Sequence, residues 1–351
     1  MSTGTAIQWT DATWNPVVGC TPVSPGCLNC YAATFAARGM HENYVGLTVR
    51  RKGEGGRTRA VFNGTVRCLP EKLDQPLRWR KPRRVFVNSM SDLFHEAVPF
   101  EFIDKCFAVM ALCPQHTFQV LTKRPARMAE YLCGLRDPER LRTVMNKAAD
   151  GGEHRAGAYN LTSIAQGAIY GRTQFLPPFR NVWLGTSVEN QKTADQRIPH
   201  LLRCPAAVRF LSCEPLLGAL SLNERQGAWL GPASQSRGMH DGIDWVIVGG
   251  ESGPGARPCD VEWVRSIVGQ CKDAGVPVFV KQLGGHVVCR NDHVSDWLDE
   301  QRGEISLDDI ITEGVTMQGD PVRVHLRDRK GGDPSEWPTD LRVREFPEAR
   351  A

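Results

Sequence analysis

Three cysteines in the run GCTPVSPGCLNCY, Cys20, Cys27 and Cys30, stand at the spacing CxxxxxxCxxC. Pro22, Pro25 and Gly26 make the intervening chain turn. A turning loop brings sulfurs to one point, whereas a helix or strand spreads them along its axis. Three thiolates in one loop are ligands for a soft metal. A 4Fe-4S cluster held by three cysteines leaves one iron open to another ligand, and S-adenosylmethionine is one molecule that occupies such a position. Zinc is the competing metal; it needs a fourth protein ligand, for which Cys68 and His41 are the candidates. Two small buried hydrophobes at an accidental spacing are the plainer alternative, against which the flanking Pro and Gly residues speak.

A second group of reactive residues follows apolar runs. Asn88 and Asp92 come after one such run, Lys123 after another, and Glu189, Glu214 and Lys281 after three more. Singly, such residues are most often helix caps or structural ion pairs. Taken together, Lys123, Glu189, Glu214 and Lys281 are candidate catalytic residues, and a pair such as Lys281 and Glu214 can orient a substrate or move a proton. The segment GGESGPGAR sets four glycines around Glu251. Glycines let backbone amides approach a ligand closely, so Gly249, Gly250, Glu251 and Ser252 are candidate cofactor contacts; a tight structural turn explains them equally well. The segment lacks the GxxxxGK[ST] pattern of a triphosphate loop.

Charge is unevenly spread. Residues 50–84 hold twelve Lys/Arg against three Asp/Glu, and residues 290–351 hold fifteen acids against nine bases. Arg80, Lys81 and Arg83 flank Trp79 in the basic stretch, a pattern suited to phosphate contact with base stacking as well as to a solvated loop. With Asn88 and Asp92, they are the candidate substrate-binding residues, for a nucleic acid or nucleotide.

The elements that must position these groups are short β-rich runs at 84–88 (RVFVN), 117–122 (TFQVLT), 181–186 (NVWLGT), 208–213 (VRFLSC), 244–249 (DWVIVG) and 277–281 (PVFVK). Such continuous apolar runs suit strands buried on both faces, and 100–113 and 261–274 show helical apolar spacing between them. Two weaker runs, 15–19 (NPVVG) and 64–68 (GTVRC), would complete eight strands. The expectation is an α/β fold, a TIM-like (β/α) barrel, full or partial, with parallel strands and two insertions at about 134–180 and 223–242; a doubly wound sheet gives similar local signals. The barrel is expected over residues 1–290, with an acidic C-terminal accessory segment over 291–351.

The 351 residues, 41% hydrophobic and 23% charged, suffice for a large core. Twelve cysteines without an export signal read as thiols or metal ligands, not disulfides. No stretch approaches the roughly 18 apolar residues a membrane span requires. A cytoplasmic protein without a membrane partner is expected.

Several segments in order, IQWTDATWNPVVGCTPVSPGCLNCYA, FVNSMSDLFHEAVP, QVLTKRP, NVWLGTSVEN, RFLSCEPLLG, WVIVGGESGPGARP and GVPVFVKQLGG, span residues 7–285. In these the chain resembles the phage-associated three-cysteine-motif proteins of unknown function, which look like relatives of the radical S-adenosylmethionine enzymes. The resemblance implies a β/α barrel and a cluster on Cys20, Cys27 and Cys30. It implies further a phage or host origin, radical chemistry, an external electron donor and a protein partner. The commoner radical enzymes carry CxxxCxxC and a GGE at the end of the second strand; here the cysteine spacing is longer and Gly249-Gly250-Glu251 comes late.

Three readings compete. The first is a radical enzyme that generates a 5′-deoxyadenosyl radical to modify or repair a nucleic acid or nucleotide. The second is a nucleic-acid-binding protein whose zinc or cluster only braces the loop. The third is a metal-free hydrolase using Glu189, Glu214 or Glu251.

Overall fold

The computed structural model describes residues 5–52, 56–135, 179–223, 229–231, 242–290, 297 and 321–348. These belong to two compact units, the first comprising Met1–Thr186 and Arg197–Arg209 with Arg350–Ala351, the second Ser187–Gln196 and Phe210–Ala349.

In the first unit the chain forms β1 (Ala12–Trp14), β2 (Val17–Val18), helix α1 (Tyr31–Ala36), β3 (Thr48–Lys52), β4 (Thr58–Phe62), β5 (Arg67–Cys68), β6 (Arg84–Val87), α2 (Phe100–Leu112), β7 (Thr117–Thr122) and α3 (Pro125–Gly134). Strand β8 (Val182–Ser187) and α4 (Gln191–Leu202) follow, each with residues in both units. Strands β1, β6, β7 and β8 pair in parallel, in that order. Their alternation with α2 and α3 leaves both faces covered, so β6 and β8 are buried almost throughout. Phe107 and Tyr131, 5.2 Å apart between ring centroids, lock α2 to α3. The Tyr131 hydroxyl donates to Asp104 at 2.9 Å, which satisfies the buried carboxylate.

The second unit carries β9 (Val208–Cys213), β10 (Trp245–Gly249), β11 (Cys259–Asp260), α5 (Val261–Asp273), β12 (Val278–Gln282), β13 (Val287–Arg290) and β14 (Pro321–Val324). Here β9, β10 and β12 pair in parallel. Asp260 caps α5, accepting from the Glu262 amide at 2.9 Å. Residues 343–345 bond along β12 through the Val280 and Glu345 amides at 2.9 and 3.0 Å, and Phe346 packs on Trp245 and Phe279. The described part of 291–351 thus supplies side chains to the core of this unit.

The sheet order β1-β6-β7-β8-β9-β10-β12 follows the chain without reversal. That is the winding of a TIM-like (β/α) barrel; a doubly wound sheet reverses at a switch point. Seven strands make it the partial form. The six strong runs form strands at their expected positions to within a residue. The two weaker runs do not join the sheet: Val17–Val18 and Arg67–Cys68 pair antiparallel with each other, and the first sheet strand is Ala12–Trp14. The insertions at 134–180 and 223–242 lie mostly outside the described residues. No described helix is long and apolar enough to cross a membrane.

Candidate metal centre

The cysteine loop is fastened at its root. Gly19 takes φ +87°, and a Cβ there would meet the Thr65 carbonyl oxygen at 2.0 Å, so only glycine passes this crossing. The Gly19 amide donates to Met90 O at 3.2 Å and the Gly64 amide to Cys20 O at 3.2 Å, which ties the loop to the end of β6 and to the turn after β4. Pro25–Cys27 makes a single 3₁₀ turn, and Cys30 is the N-cap of α1. All three thiols are free and half-buried. Cys20 and Cys30 pack against the apolar cluster that includes Val18, Ala33, Leu47 and Met90.

Burial pushes the Cys20 thiol up to about 12, reinforced by the Asp92 carboxylate and by Cys27 and opposed by Arg124. Burial also raises Cys30, with Cys27 adding to it and the Ala33 and Ala32 amides and Lys123 opposing. Cys27 therefore acts electrostatically on both other thiols, while a cation opposes each shift. Arg124 Nη1 donates to Cys20 Sγ at 3.8 Å and to Asp92 at 3.2 Å; Nη2 donates to Thr21 O at 3.2 Å, and Nε reaches Glu96 at 2.9 Å. Asp92 in turn accepts from Thr122 Oγ1, the Phe94 amide, the Lys123 amide and Arg124, at 2.7 to 3.2 Å. Its lone pairs are thereby committed to protein donors. His95 closes the group, with Nε2 2.9 Å from Thr21 Oγ1.

Three free thiols backed by two cations have the donor chemistry of a thiolate-held metal centre. Among the described residues, no three His, Cys, Asp or Glu side chains are gathered in metal-holding geometry. The two candidate fourth ligands lie in the following surroundings. Cys68 neighbours Cys106, whose thiol is pushed up by burial and by Cys68 itself. His41 Nδ1 accepts from the Asn43 amide at 3.2 Å, and its ring lies against Tyr44.

The other expected residues of this unit separate into anchors and surface groups. Asn88 is buried at φ 61°, its Oδ1 accepting from the Val17 amide at 3.3 Å and its Nδ2 without a hydrogen-bond partner. Arg80 and Lys81 are exposed. Trp79 is buried, with the Arg83 guanidinium over its ring and His116 at its edge, so it offers no open face for a base and the stacking expected of it is not available. The hairpin β3–β4 exposes Arg50, Arg51 and Lys52.

In the second unit the Lys281 ammonium donates to Glu214 Oε1 at 2.6 Å, and Gln282 Nε2 donates to the same oxygen at 3.3 Å. Glu189 is buried beside Cys213. Gly249 ends β10. Gly250 lies so close to β12 that a Cβ would meet Leu283 O at 2.1 Å, so its missing side chain admits the protein's own backbone. Glu251 accepts from Arg257 Nη2 at 2.5 Å, Nε at 2.9 Å and the amide at 3.0 Å. Ser252 is half-buried.

Sequence reasoning named Asp92 as a substrate contact, counted Arg124 only as one more polar group at a strand end, and gave Thr21, His95 and Glu96 no role. The juxtaposition of FHEAVP and TKRP with the cysteine loop is set by the fold, and only the density of charge in those two runs hinted at it.

The chain belongs to the family described as "Protein of unknown function (DUF5131)", which matches residues 4–319. No curated protein matches it. Among solved structures, it is similar to spore photoproduct lyase complexed with dinucleoside spore photoproduct, at 9% identity and a TM-score of 0.35, over 93% of this chain and 72% of that one. A mutant of that lyase with bound AdoMet and dinucleoside spore photoproduct gives 10% identity and a TM-score of 0.34 over the same shares. Likenesses this loose assign neither fold nor function.

Proposed function

We propose that this DUF5131 protein is a radical-SAM-like iron-sulfur enzyme acting on a nucleic acid or nucleotide, with Cys20, Cys27 and Cys30 as ligands of a 4Fe-4S cluster. The observation that supports the reading is the set of three half-buried thiols, none in a disulfide, beside Arg124 and Lys123. Three thiolates without a fourth protein ligand leave a coordination position for something other than protein, which a closed zinc site does not. When bound, such a cluster would pass one electron, taken from an external reductant, to S-adenosylmethionine and so supply radical hydrogen abstraction from a substrate.

The chain's own residues hold and orient. Arg124 and Lys123 offset the negative charge of three thiolates, and Asp92, filled by four donors, keeps the Arg124 fork in register. Asn88, buried and bonded to the Val17 amide, is assigned to positioning the strand end beside the substrate and not to touching it. Exposed Arg80 and Lys81 suit phosphate contacts; Arg83, spread over Trp79, serves mainly to position that segment. In the second unit, Gly249, Gly250, Glu251 and Ser252 are assigned to S-adenosylmethionine, and Glu189, Glu214 and Lys281 to proton handling, with Lys281 and Glu214 already paired.

Anaerobic reconstitution with iron and sulfide tests the reading, followed by iron counting and electron paramagnetic resonance with and without S-adenosylmethionine. The expected result is a reduced-cluster spectrum that changes on adding the cofactor and vanishes in Cys20→Ala. Stoichiometric zinc with no assembled cluster would end the radical mechanism and favour a metal-braced nucleic-acid-binding protein.

A further inference from the structure

The two carboxylates on Arg124 are held in different ways. Asp92 is buried and filled by four donors. The Glu96 side chain is 67% accessible, although the arginine it pairs with is only 6% accessible. Both Glu96 oxygens lie 2.9 Å from the same nitrogen, Arg124 Nε. One N–H shared by two oxygens is a poorer bond than a two-pronged one, and an exposed carboxylate in such a pair is weakly held. His95 adds no charge to it: Nδ1, 3.8 Å from Glu96 Oε2, accepts from the Ala97 amide and has no proton to give.

The turn that carries Glu96 is fixed, so its side chain is the loose part. The His95 amide donates to Asp92 O at 3.1 Å and the Val98 amide to His95 O at 2.9 Å. Arg127 grips the same two residues, Nη1 donating to His95 O at 3.0 Å and Nη2 to Val98 O at 2.8 Å, with its guanidinium 4.4 Å from the Phe100 ring centroid. Glu96 can therefore turn out to water by a change of rotamer, without movement of the backbone. That uncovers Nε of a guanidinium whose Nη1 and Nη2 stay engaged by Asp92, Cys20 and Thr21. A cation held in one orientation, with an N–H released towards solvent, is an anion site.

Competition decides which anion. Glu96 is tethered at the site, so a free carboxylate of equal charge meets a competitor always present at high local concentration. An internal phosphodiester, also singly charged, fares no better. A phosphate monoester carries about −1.5 to −2 at neutral pH and three strong acceptor oxygens, and it prevails in the exchange.

We propose that Arg124 Nε is a subsite for a phosphate monoester, that Glu96 is the placeholder it displaces, and that the ligand is a 5′-mononucleotide or the phosphorylated end of a strand; the identity of the ligand rests on the nucleotide reading above. The same guanidinium touches Cys20 Sγ, so the phosphate anchors its ligand one side chain away from the cysteine loop.

Inorganic phosphate and adenosine 5′-monophosphate, each titrated calorimetrically into the metal-free full chain, test the subsite. Glu96→Gln is expected to tighten both by about fivefold, since the resident carboxylate is gone. Arg124→Lys, which keeps the charge without the fork, should weaken both by about tenfold. Circular dichroism checks that both variants stay folded. Binding left unchanged or weakened by Glu96→Gln would overturn the proposal, because a carboxylate that merely supports the site gives that result. So would acetate competing as well as phosphate, or binding lost in Arg80→Gln/Lys81→Gln and kept in Arg124→Lys. Inorganic phosphate bound with the Glu96 effect, but no mononucleotide, would overturn the identity of the ligand and the nucleotide reading with it. No metal enters the measurement, so failure to assemble a cluster sinks the iron-sulfur reading alone.

Discussion

Arg124 Nη1 stands 3.8 Å from Cys20 Sγ and 3.2 Å from Asp92, so one guanidinium joins the thiol loop to the end of β7 and to the loop after β6. Arg124 and Asp92 are both buried, and each is the other's charge compensation. Removing Arg124 leaves Asp92 uncompensated in a poor dielectric, and removing Asp92 leaves three further donors unmatched and Arg124 with Glu96 alone.

Asp92→Ala and Arg124→Met are each expected to cost about 3–5 kcal/mol in urea unfolding. Arg124→Lys keeps the charge but loses the fork, and is expected to fold while holding reconstituted iron less tightly. Near-neutral unfolding midpoints for both large substitutions would show that the network is not structural.

The turn that presents Cys20 gives a sharper contrast. Gly19→Ala forces a side chain into a left-handed conformation and against the Thr65 carbonyl, with an expected cost above about 2 kcal/mol. Gly39 has φ +62° with nothing within 4 Å of an added Cβ, so Gly39→Ala carries the conformational strain alone, about 1 kcal/mol. Urea midpoints of the pair, with iron content after reconstitution, separate the two costs. Equal destabilisation would mean that the Thr65 crossing yields easily.

The strong strands were readable because a strand buried on both faces must be apolar along its whole length, as in WVIVG of β10 and VWLGTS of β8. The first sheet strand was not, because three residues, Ala12–Trp14, carry too little pattern; the more β-like NPVVG beside them is drawn into pairing with Arg67–Cys68. The three cysteines were singled out from their spacing and from the prolines between them. The Arg124 hub was not, since it unites residues 21, 92, 96 and 124, which no local period connects. Trp79 misled for a related reason: a tryptophan among arginines looks like a stacking platform until the fold buries its ring against His116.

His116 supplies a pH dependence. Burial lowers its pKa below the ordinary histidine value, so the folded protein keeps it neutral, with Nε2 3.3 Å from Pro76 O. Below about pH 6.5 the unfolded chain binds a proton that the folded chain refuses, and stability falls with decreasing pH until the folded-state pKa is reached. His286, also lowered by burial, acts in the same direction. Urea midpoints measured from pH 8 to 5.5 are expected to be level above about pH 7 and to decline below it, less steeply in His116→Gln. An unchanged slope in that variant would assign the acid sensitivity to other groups.

The Glu251–Arg257 pair distinguishes a clamp from a ligand. Arg257 donates to both carboxylate oxygens from only six residues away, which folds GGESGPGAR onto itself. Glu251→Gln and Arg257→Met are each expected to destabilise by about 2–4 kcal/mol, and the double variant by less than their sum, with a coupling of at least about 1 kcal/mol. That much follows from the ion pair alone. A cofactor role for Glu251 demands more: at a urea-free concentration where both variants are folded, Glu251→Gln should weaken S-adenosylmethionine binding about tenfold, because a neutral amide binds an ammonium poorly. Arg257→Met, which frees the carboxylate, should leave that binding intact or improve it. Equal losses of binding in the two variants would reduce Glu251 to a structural partner of Arg257.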